Sequence, residues 1–281
     1  MKLNIGFQMD PLEGLNIKAD STYALMVESI KRGYNVWHFL PEELTLKNNS
    51  VFSKARKLSL LNNGPDNVSK TLKELTINLN SLDAIFLRQD PPFDMSYITS
   101  AHLLETIQNK VKIINKPSEV RNAPEKLFLN RWPDLIPKTL ISRTKDEIIS
   151  FREEFKDIII KPLYGNGGSG VFFVKEDDKN FSTILEMFFE KSKEPIIIQE
   201  FLKEIDSGDK RIILIDGKPE GAINRIPKKN EVRANMHVGG VAQLEKDVGL
   251  VQLEGAPRDV GGARRGACAC IVQEEGKGRG K

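Results

Sequence analysis

The sequence is poor in the features that mark secreted, membrane-spanning and nucleic-acid-binding proteins. Only two of its 281 residues are cysteines, Cys268 and Cys270, which excludes a disulfide framework, and a zinc site would need further ligands. No apolar run approaches the roughly 20 residues that span a bilayer. The formal net charge is only +3, whereas a dedicated nucleic-acid binder concentrates Lys and Arg on one face. We therefore expect a protein that binds neither membranes nor nucleic acids.

The amino-terminus also lacks a targeting pattern. Residues 1–10 favour a short strand interrupted by Asn4 and Gln8, not a basic segment followed by an apolar one. The two thiols are then best explained as incidental in a reducing compartment. Together these features predict a globular protein of the cytoplasm.

Over its first 120 residues the sequence alternates short apolar runs with helical patterns. The predicted elements are strands at residues 3–9, 36–40, 84–87 and 112–114 and a helix around residues 98–108. A further helix is predicted with Asp20 or Ser21 as its cap, apolar positions at residues 24, 25, 27 and 30, and its end at Gly33. Such alternation is typical of a parallel sheet with helices on both faces. Asp10 follows the first strand, and Arg88 and Asp90 follow the third. Parallel sheets bind ligands beyond the carboxyl ends of their strands, so we expect a ligand site there.

The second half of the chain has a different pattern. Asn and Pro at residues 115–117 and 122–124 favour a linker, and a new unit begins near Lys126. Its predicted elements are strands at residues 158–160, 171–174, 196–198, 212–215 and 221–224 and a helix at residues 182–190. Asp216 and Gly217 suit the turn of a hairpin between the last two strands. This unit is therefore expected to be richer in antiparallel strands than the first.

A glycine-rich segment, residues 165–170, lies between two of these strands and is called the glycine loop below. Its sequence matches the dinucleotide-binding pattern G-x-G-x-x-G, but that pattern must lead into a helix, and a Walker A loop would end in Gly-Lys-Ser/Thr. The remaining interpretation is a loop between two strands, and the backbone amides of this loop can close over phosphates. Lys161 beside the loop and Lys126 at the start of the unit suit phosphate oxygens. The alternative is a flexible hairpin with two solvated lysines.

Two further segments follow the loop. Residues 199–202 end an apolar strand and could present backbone groups to the edge of an adenine and a Phe ring to its face. Residues 208–211 place a carboxylate and two cations at the start of a strand. Each segment alone has a mundane alternative, a strand end or a charged turn, so it is their order that is informative.

In this order the segments resemble those of the prokaryotic glutathione synthetases, members of the ATP-grasp superfamily. The matching residues are Met9-Asp10-Pro11, Asn16-Ile17-Lys18, Asp20-Ser21, Arg88-Gln89-Asp90, Asn115-Lys116-Pro117, Glu125-Lys126, Ile160-Lys161, the glycine loop, Gly208-Asp209-Lys210-Arg211, Asp216-Gly217, Arg225-Ile226-Pro227, Arg233, Asn235 and Gly239-Gly240. The resemblance runs from residue 1 to about Asp247. It implies an α/β fold with an amino-terminal Rossmann-like domain, residues 1–122, and an incomplete ATP-grasp α+β domain, residues 123–247.

The resemblance also implies a reaction, the ligation of γ-glutamylcysteine to glycine at the expense of ATP, with magnesium as cofactor and a homo-oligomeric protein. ATP would phosphorylate the substrate carboxylate, and the amine of glycine would attack the resulting acyl phosphate. Phosphoryl transfer depends mostly on positioning and electrostatic stabilisation. Closure of the glycine loop would keep water from hydrolysing the acyl phosphate.

Site residues follow from the same resemblance. ATP binding is implied for Lys126, Lys161, Gly165, Gly167, Gly168, Ser169, Gly170, Gln199, Glu200, Phe201, Leu202 and Asp209. Stabilisation of charge on the transferring phosphoryl group and the acyl phosphate is implied for Arg211 and Arg225. Substrate binding is implied for Asp10, Ser21, Arg88, Asp90, Arg233 and Asn235.

The pattern fails after Asp247. Residues 248–281 hold eight of the 21 glycines and both cysteines but no Asn and no Phe, and they predict a disordered basic tail. The family places its magnesium ligands in this stretch, as an Asp and a Glu-x-Asn pair, and none can be matched here because no Asn follows Asn235. We therefore expect a truncated or frame-shifted chain that is impaired as an enzyme.

Two other functions remain open at this stage. One is a different ATP-grasp carboxylate–amine ligase, such as a D-alanine–D-alanine ligase or a ribosomal-protein glutamate ligase, and the residues near Asp10 and Arg88 would discriminate. The other is a non-catalytic nucleotide-binding module that kept the loop and lost the metal site. His38, His102 and His237 show no ligand spacing and are expected to be packed or surface residues.

Overall fold

The computed structural model describes residues 2–13, 15–17, 20–60, 68–70, 74–215, 218–229, 231–235, 238–245 and 268–271. The chain divides into two compact units, Met1–Pro124 and Glu125–Lys281. Within the described ranges no helix combines the length and the apolar character needed to cross a membrane.

The amino-terminal unit is a mixed sheet with three helices along its chain. Its strands are β1 (Asn4–Gln8), β2 (Asn35–Phe39), β3 (Thr45–Lys47), β4 (Ser50–Leu60), β5 (Val68–Lys70), β6 (Leu75–Asn78), β7 (Ala84–Leu87) and β8 (Lys112–Ile114). Its helices are α1 (Ser21–Lys31), α2 (Met95–Glu105) and α3 (Pro117–Arg121). Short 3₁₀ turns lie at Pro41–Glu43 and Leu79–Ser81.

The sheet has the order β3-β4-β2-β1-β7-β8, and β5 and β6 also pair with β4. The four strands β2, β1, β7 and β8 run parallel, as the alternation of strands and helices predicts. Strand β4 pairs antiparallel with β2 and was not predicted, although its buried side chains alternate along much of its length. The parallel part positions the site, because the carboxyl ends of β1 and β7 lie side by side.

Helix boundaries in this unit are set by capping side chains. The carboxylate of Asp20 accepts a hydrogen bond from the amide of Tyr23 and caps α1, as predicted. The carboxylate of Asp94 accepts one from the amide of Tyr97, so α2 begins at Met95, three residues before the predicted start. A cap therefore decided the start of α2 where apolar spacing gave a later one.

The second unit contains two four-stranded sheets. Its strands are β9 (Thr139–Ser142), β10 (Ile158–Pro162), β11 (Phe172–Val174), β12 (Ile196–Glu200), β13 (Asp209–Ile215), β14 (Lys218–Ile226), β15 (Val241–Glu245) and β16 (Cys268–Ile271). Its helices are α4 (Glu125–Phe128), α5 (Lys145–Phe155) and α6 (Phe181–Lys191), and 3₁₀ turns lie at Leu129–Arg131, Pro133–Leu135 and Lys203–Ser207.

The first of these sheets has the order β11-β10-β12-β9 and is antiparallel throughout. One hydrophobic core covers it, in which Ile158, Ile160 and Ile198 of the sheet pack with Ile148 of α5 and Ile184 of α6. This core fixes β10, and β10 in turn carries Lys161 and leads into the glycine loop.

The second sheet has the order β15-β14-β13-β16. Strands β13 and β14 form the predicted hairpin, although its turn, Asp216 and Gly217, lies outside the described residues. Strand β16 pairs antiparallel with β13 and lies within the segment whose composition predicts a disordered tail. The edge of β13 offers unpaired backbone groups, and pairing with them outweighs the weak local preference of this segment. The rest of residues 246–281 lies outside the described residues.

Candidate functional site

The glycine loop joins two antiparallel strands. Ile158 pairs with Val174 and Ile160 with Phe172, so the loop leads from a strand into a strand and not into a helix. This confirms that the segment is not a dinucleotide-binding turn, despite its G-x-G-x-x-G sequence. All four of its glycines, Gly165, Gly167, Gly168 and Gly170, have positive φ angles.

Gly168 shows why one of these positions admits no side chain. Its φ angle is +79°, and a Cβ atom there would lie 2.8 Å from the side-chain oxygen of Asn235. The guanidinium of Arg233 also donates a hydrogen bond of 3.0 Å to the carbonyl oxygen of Gly168. Arg233 and Asn235, both predicted to bind substrate, therefore lie against the glycine loop.

Two lysines lie together beside the loop. Burial and, to a smaller extent, the positive charge of Lys126 together lower the pKa of Lys161 from its ordinary value of 10.5 to about 8. The pKa of Lys126 is also lowered by burial, although the carboxylate of Glu125 acts in the opposite direction. Two partly desolvated ammonium groups that repel each other form a site that an anion would stabilise.

The side chain of Lys126 also contacts the backbone of the glycine loop and of the residues just before it. Its ammonium donates to the carbonyl oxygen of Gly165 over 2.8 Å and to that of Leu163 over 3.3 Å. The carboxylate of Glu125 accepts a hydrogen bond of 2.7 Å from the amide of Gly165. Consecutive residues at the start of α4 therefore hold the first residue of the glycine loop by both its amide and its carbonyl group.

Arg233 is held by a neighbouring carboxylate. Its Nε and Nη2 atoms donate to the two carboxylate oxygens of Glu231 over 2.9 and 2.6 Å. This contact lowers the pKa of Glu231 from 4.5 to about 2. Because its third hydrogen bond goes to Gly168, the described contacts use each arm of the Arg233 guanidinium.

The segment predicted to bind adenine ends strand β12. The amide of Gln199 donates a hydrogen bond of 2.8 Å to the hydroxyl of Thr139, and the ring of Phe201 lies 4.2 Å from that of Phe173. The backbone amides of Glu200 and Phe201 donate to the carbonyl oxygens of Lys138 and Asp157. The adenine-binding role of residues 199–202 stays a prediction.

Asp209 and Arg225 form a buried ion pair between β13 and β14. The Nε and Nη2 atoms of Arg225 donate to the two carboxylate oxygens of Asp209, each over 2.6 Å. The side chain of Arg225 is 7% exposed and that of Asp209 is 17% exposed. Arg211, two residues further along β13, is exposed. The structure thus neutralises Arg225 and leaves Arg211 at the surface.

In the amino-terminal unit four predicted substrate-binding residues converge at the carboxyl ends of β1 and β7. The carboxylate of Asp10 accepts a hydrogen bond of 2.7 Å from the amide of Asp90. The guanidinium of Arg88 donates to the hydroxyl of Ser21 over 3.0 Å and to that of Thr22 over 2.9 Å. Arg88 is therefore oriented by hydroxyl groups, which leave its positive charge uncompensated at these contacts.

Sequence reasoning missed the residues that support this arrangement. The side-chain oxygen of Gln89 accepts hydrogen bonds from the amide of Gln8 over 3.0 Å and from the hydroxyl of Ser100 over 2.8 Å. Gln8 is fully buried on β1, and a buried Gln in an apolar strand was the one signal that could have identified it. Thr22, Glu125 and Glu231 were not predicted as site residues either. The partners of Thr22 and Glu125 are far away in sequence, and no local pattern singled out the contact of Glu231 with Arg233.

The histidines follow the expected pattern where they are described. His38 is buried on β2, and its Nε2 atom lies 3.1 Å from the carbonyl oxygen of Asp10. His102 lies at the surface of α2, with its Nδ1 atom 3.6 Å from the carboxylate of Glu105. His237 lies outside the described residues.

Models of known protein families match two consecutive segments of the chain. The model for the N-terminal domain of prokaryotic glutathione synthetase matches residues 3–121, and the model for the ATP-grasp domain of the same enzyme matches residues 125–249. The chain belongs to the prokaryotic glutathione synthetase family. Members of this family are ATP-dependent carboxylate–amine ligases, and this chain is one by descent.

Individual relatives agree with the family model. The glutathione synthetase of Agrobacterium fabrum is 49% identical over 237 residues, which are 84% of this chain and 74% of that protein. The glutathione synthetase of Brucella melitensis is 47% identical over 247 residues, which are 88% of this chain and 78% of that protein.

Solved structures show the fold. An ATP-grasp RimK domain protein from Sphaerobacter thermophilus superposes with a TM-score of 0.53 at 14% identity, covering 79% of this chain and 72% of that chain. D-alanyl-alanine synthetase A from Vibrio cholerae superposes with a TM-score of 0.51 at 14% identity, covering 81% of this chain and 69% of that chain. The predicted fold, an amino-terminal α/β domain followed by an ATP-grasp domain, is confirmed.

The family implies small-molecule substrates, ATP and magnesium. Within the described ranges no group of three or more His, Cys, Asp or Glu side chains could hold a metal ion. Asp209, the acidic residue predicted near the nucleotide, already gives both carboxylate oxygens to Arg225. The segment in which the family places its magnesium ligands lies almost wholly outside the described residues.

Proposed function

We propose that the chain descends from an enzyme that ligates γ-glutamylcysteine to glycine, and that it retains the nucleotide-binding half of that chemistry. The observation that carries the proposal is the glycine loop on its antiparallel hairpin, with Lys126 and Lys161 beside it. Amides of a glycine-rich turn and two lysines are the groups that bind nucleotide phosphates in a strand–loop–strand setting.

The reaction has two steps. The carboxylate of γ-glutamylcysteine attacks the terminal phosphorus of ATP, so that an acyl phosphate forms and ADP leaves. The amine of glycine then attacks the acyl carbon, phosphate leaves, and the amine loses a proton as the amide bond forms. Lys126 and Lys161 would stabilise the phosphoryl oxygens, and Arg211 is the exposed cation of β13 that suits the same charge.

Arg88 is the residue best suited to an anionic substrate in the amino-terminal unit. Ser21 and Thr22 fix its guanidinium without neutralising it, and Asp10 and Asp90 lie at the same strand ends. A guanidinium binds a carboxylate and the carboxylates bind an amine, which are the charged groups of γ-glutamylcysteine. In the second unit, Arg233 and Asn235, which lie against the glycine loop, are the other residues proposed to bind substrate.

The same chain is proposed to be impaired in turnover. Magnesium bridges and neutralises nucleotide phosphates, and the described residues supply no ligand set for it. The composition of residues 248–281 also departs from that of the preceding chain. A nucleotide-binding module without catalysis is therefore the second candidate function, favoured by the Asp209–Arg225 pair that removes Asp209 from metal binding.

A cytoplasmic location and a homo-oligomeric state belong to this proposal. The thiol of γ-glutamylcysteine needs a reducing compartment, which the cytoplasm provides. Sedimentation of the purified protein would measure the oligomeric state.

One pair of measurements separates the two functions. Calorimetry with ATP, with and without magnesium, tests nucleotide binding, and an assay of ADP release with γ-glutamylcysteine and glycine tests ligation. We expect ATP binding at millimolar concentration or below, with ligation far below the roughly 1–1000 s⁻¹ of ordinary enzymes. Ligation within that range would refute the impairment, and no binding at millimolar ATP would refute both functions. Replacing glycine by D-alanine or glutamate tests substrate choice.

A further inference from the structure

Glu125 stands out among the residues near the glycine loop because its placement is costly. Its φ angle is +38°, in the left-handed region that residues other than glycine rarely adopt. Its Oε1 atom is buried and has no hydrogen-bond partner among the described residues. An unfavourable backbone angle and an unsatisfied acceptor both cost stability, and such costs concentrate at functional positions.

The other carboxylate oxygen of Glu125 makes two contacts at the loop. It accepts the amide hydrogen of Gly165 over 2.7 Å and lies 3.7 Å from the ammonium of Lys126. Both side chains are mostly buried, with Glu125 18% exposed and Lys126 24% exposed. A nucleotide phosphate would offer the same chemistry, a negatively charged oxygen for a loop amide and a lysine.

Charge gives a reason for such a carboxylate in the nucleotide-free protein. The positive charge of Lys126 lowers the affinity of Lys161 for a proton, so an anion between or beside the two lysines stabilises the pair. Of the carboxylates in the described ranges, Glu125 is the one that forms an ion pair with Lys126. When phosphate arrives, its charge makes that of Glu125 redundant and repels it.

We propose that Glu125 is a positioning residue that substitutes for a nucleotide phosphate, holding Lys126 and the amide of Gly165 until a bound phosphate group displaces its carboxylate. This inference rests on the proposed nucleotide binding. It adds that Glu125 holds the glycine loop in the free protein and releases it in the nucleotide-bound protein. In the free protein the contact orders the glycine loop, and in the bound protein the loop no longer depends on it.

Hydrogen exchange of the loop amides, measured with and without saturating ATP, tests this role. Without ATP we expect Glu125→Ala to accelerate exchange in residues 162–171 by roughly tenfold or more, since it removes a hydrogen bond to a charged acceptor. Glu125→Gln keeps an acceptor and loses only the charge, so its effect is expected to be smaller. With ATP bound, both variants are expected to exchange as the wild type does.

Glu186→Gln is the matched control. Glu186 lies 4.0 Å from Lys145 in an exposed ion pair of α6, in the same unit, so its replacement is expected to leave exchange in the loop unchanged in both states. Equal exchange in wild type and both Glu125 variants without ATP would overturn the proposal. A difference that persists with ATP bound would also overturn it, because the contact would then be a permanent structural one.

The outcomes distinguish this inference from the proposed function. Failure of the wild type to bind ATP in calorimetry overturns the proposed function and this inference together. Normal ATP binding by the wild type, combined with unchanged exchange in the variants, overturns only the inference. If Glu125→Ala does not fold, Glu125→Gln alone carries the comparison, because it preserves size and one acceptor.

Discussion

The two units of this chain hold their arginines in opposite ways. In the amino-terminal unit, Arg88 is oriented by the hydroxyls of Ser21 and Thr22, which are neutral. In the second unit, Arg225 and Arg233 are each bound by both oxygens of a carboxylate. Hydroxyls fix a guanidinium and leave its charge for a ligand, whereas a carboxylate fixes it and consumes that charge. Geometry alone therefore does not identify a ligand-binding arginine.

The strongest way to break this comparison is to remove the carboxylate from the most buried pair. Asp209→Asn leaves the guanidinium of Arg225 buried without a counter-charge, and we expect a loss of about 3–5 kcal/mol in the free energy of unfolding. Urea denaturation followed by circular dichroism measures it. Glu186→Gln, in an exposed pair, is the control and should change the free energy by less than about 1 kcal/mol. An equal loss in both variants would contradict the distinction.

Arg88 should show the reverse, a large effect on binding and a small one on stability. We expect Arg88→Gln to weaken binding of γ-glutamylcysteine by about tenfold or more, because one charge-assisted hydrogen bond contributes about 1.5–3 kcal/mol. The free energy of unfolding should change less than for Asp209→Asn, since no charged side chain is left buried without its counter-charge. Calorimetric titration checks the affinity. Arg32→Gln is the control, because Arg32 pairs with Glu28 on the exposed face of α1.

Lys126 and Lys161 are a third case, in which burial lowers the pKa of both ammonium groups. In the proposed function, phosphate binds the protonated form of Lys161, whose pKa in the free protein is about 8. The affinity for ATP should therefore begin to fall as the pH approaches 8 and decline progressively above it, by at most about tenfold per pH unit for one proton. Lys126, with its own lowered pKa, acts in the same direction.

Calorimetry at several pH values checks this decline, and Lys161→Arg supplies the comparison. Arginine stays protonated across the range, so the decline should become shallower in that variant. An affinity that stays constant to pH 10 in the wild type would show that Lys161 does not bind the nucleotide.

The smallest effect is expected at Glu231, whose pair with Arg233 is partly exposed. Its folded pKa of about 2 lies below the ordinary 4.5, so its contribution to stability is full above pH 4.5 and is lost as the pH falls towards 2. We expect Glu231→Gln to cost at most about 1 kcal/mol near pH 7. Thermal unfolding at pH 7 and pH 3 should show a smaller difference between the two proteins at pH 3.

The sequence was most informative where local chemistry decides the structure. The strand after the glycine loop was predictable because residues 171–174 are β-branched or aromatic. The cap of α1 was predictable because Asp20 precedes the apolar positions of that helix. Convergence of Asp10, Arg88 and Asp90 followed from the geometry of parallel strands. The family resemblance supplied the reaction, which spacing alone did not.

What the sequence did not predict are the contacts that neutralise charge. Asp209 and Arg225 face each other only because the register of β13 and β14 shifts by one residue between Ile213 and Leu214. The predicted turn alone would place Asn224 opposite Asp209. Gly165 meets Glu125 across 40 positions of sequence, through a contact that exists only once β10 is packed. Partners that are far apart in sequence decide whether a charged side chain can act on a ligand.

Strand β16 shows how little a segment must supply in order to pair with a sheet. It binds β13 through backbone groups, which every residue except proline can supply, so almost any short extended segment can serve as the neighbour of that strand. A metal site has no such tolerance, because its ligands must be particular side chains at particular places. A segment can therefore pair with a sheet edge while supplying none of the side chains that a ligand site needs.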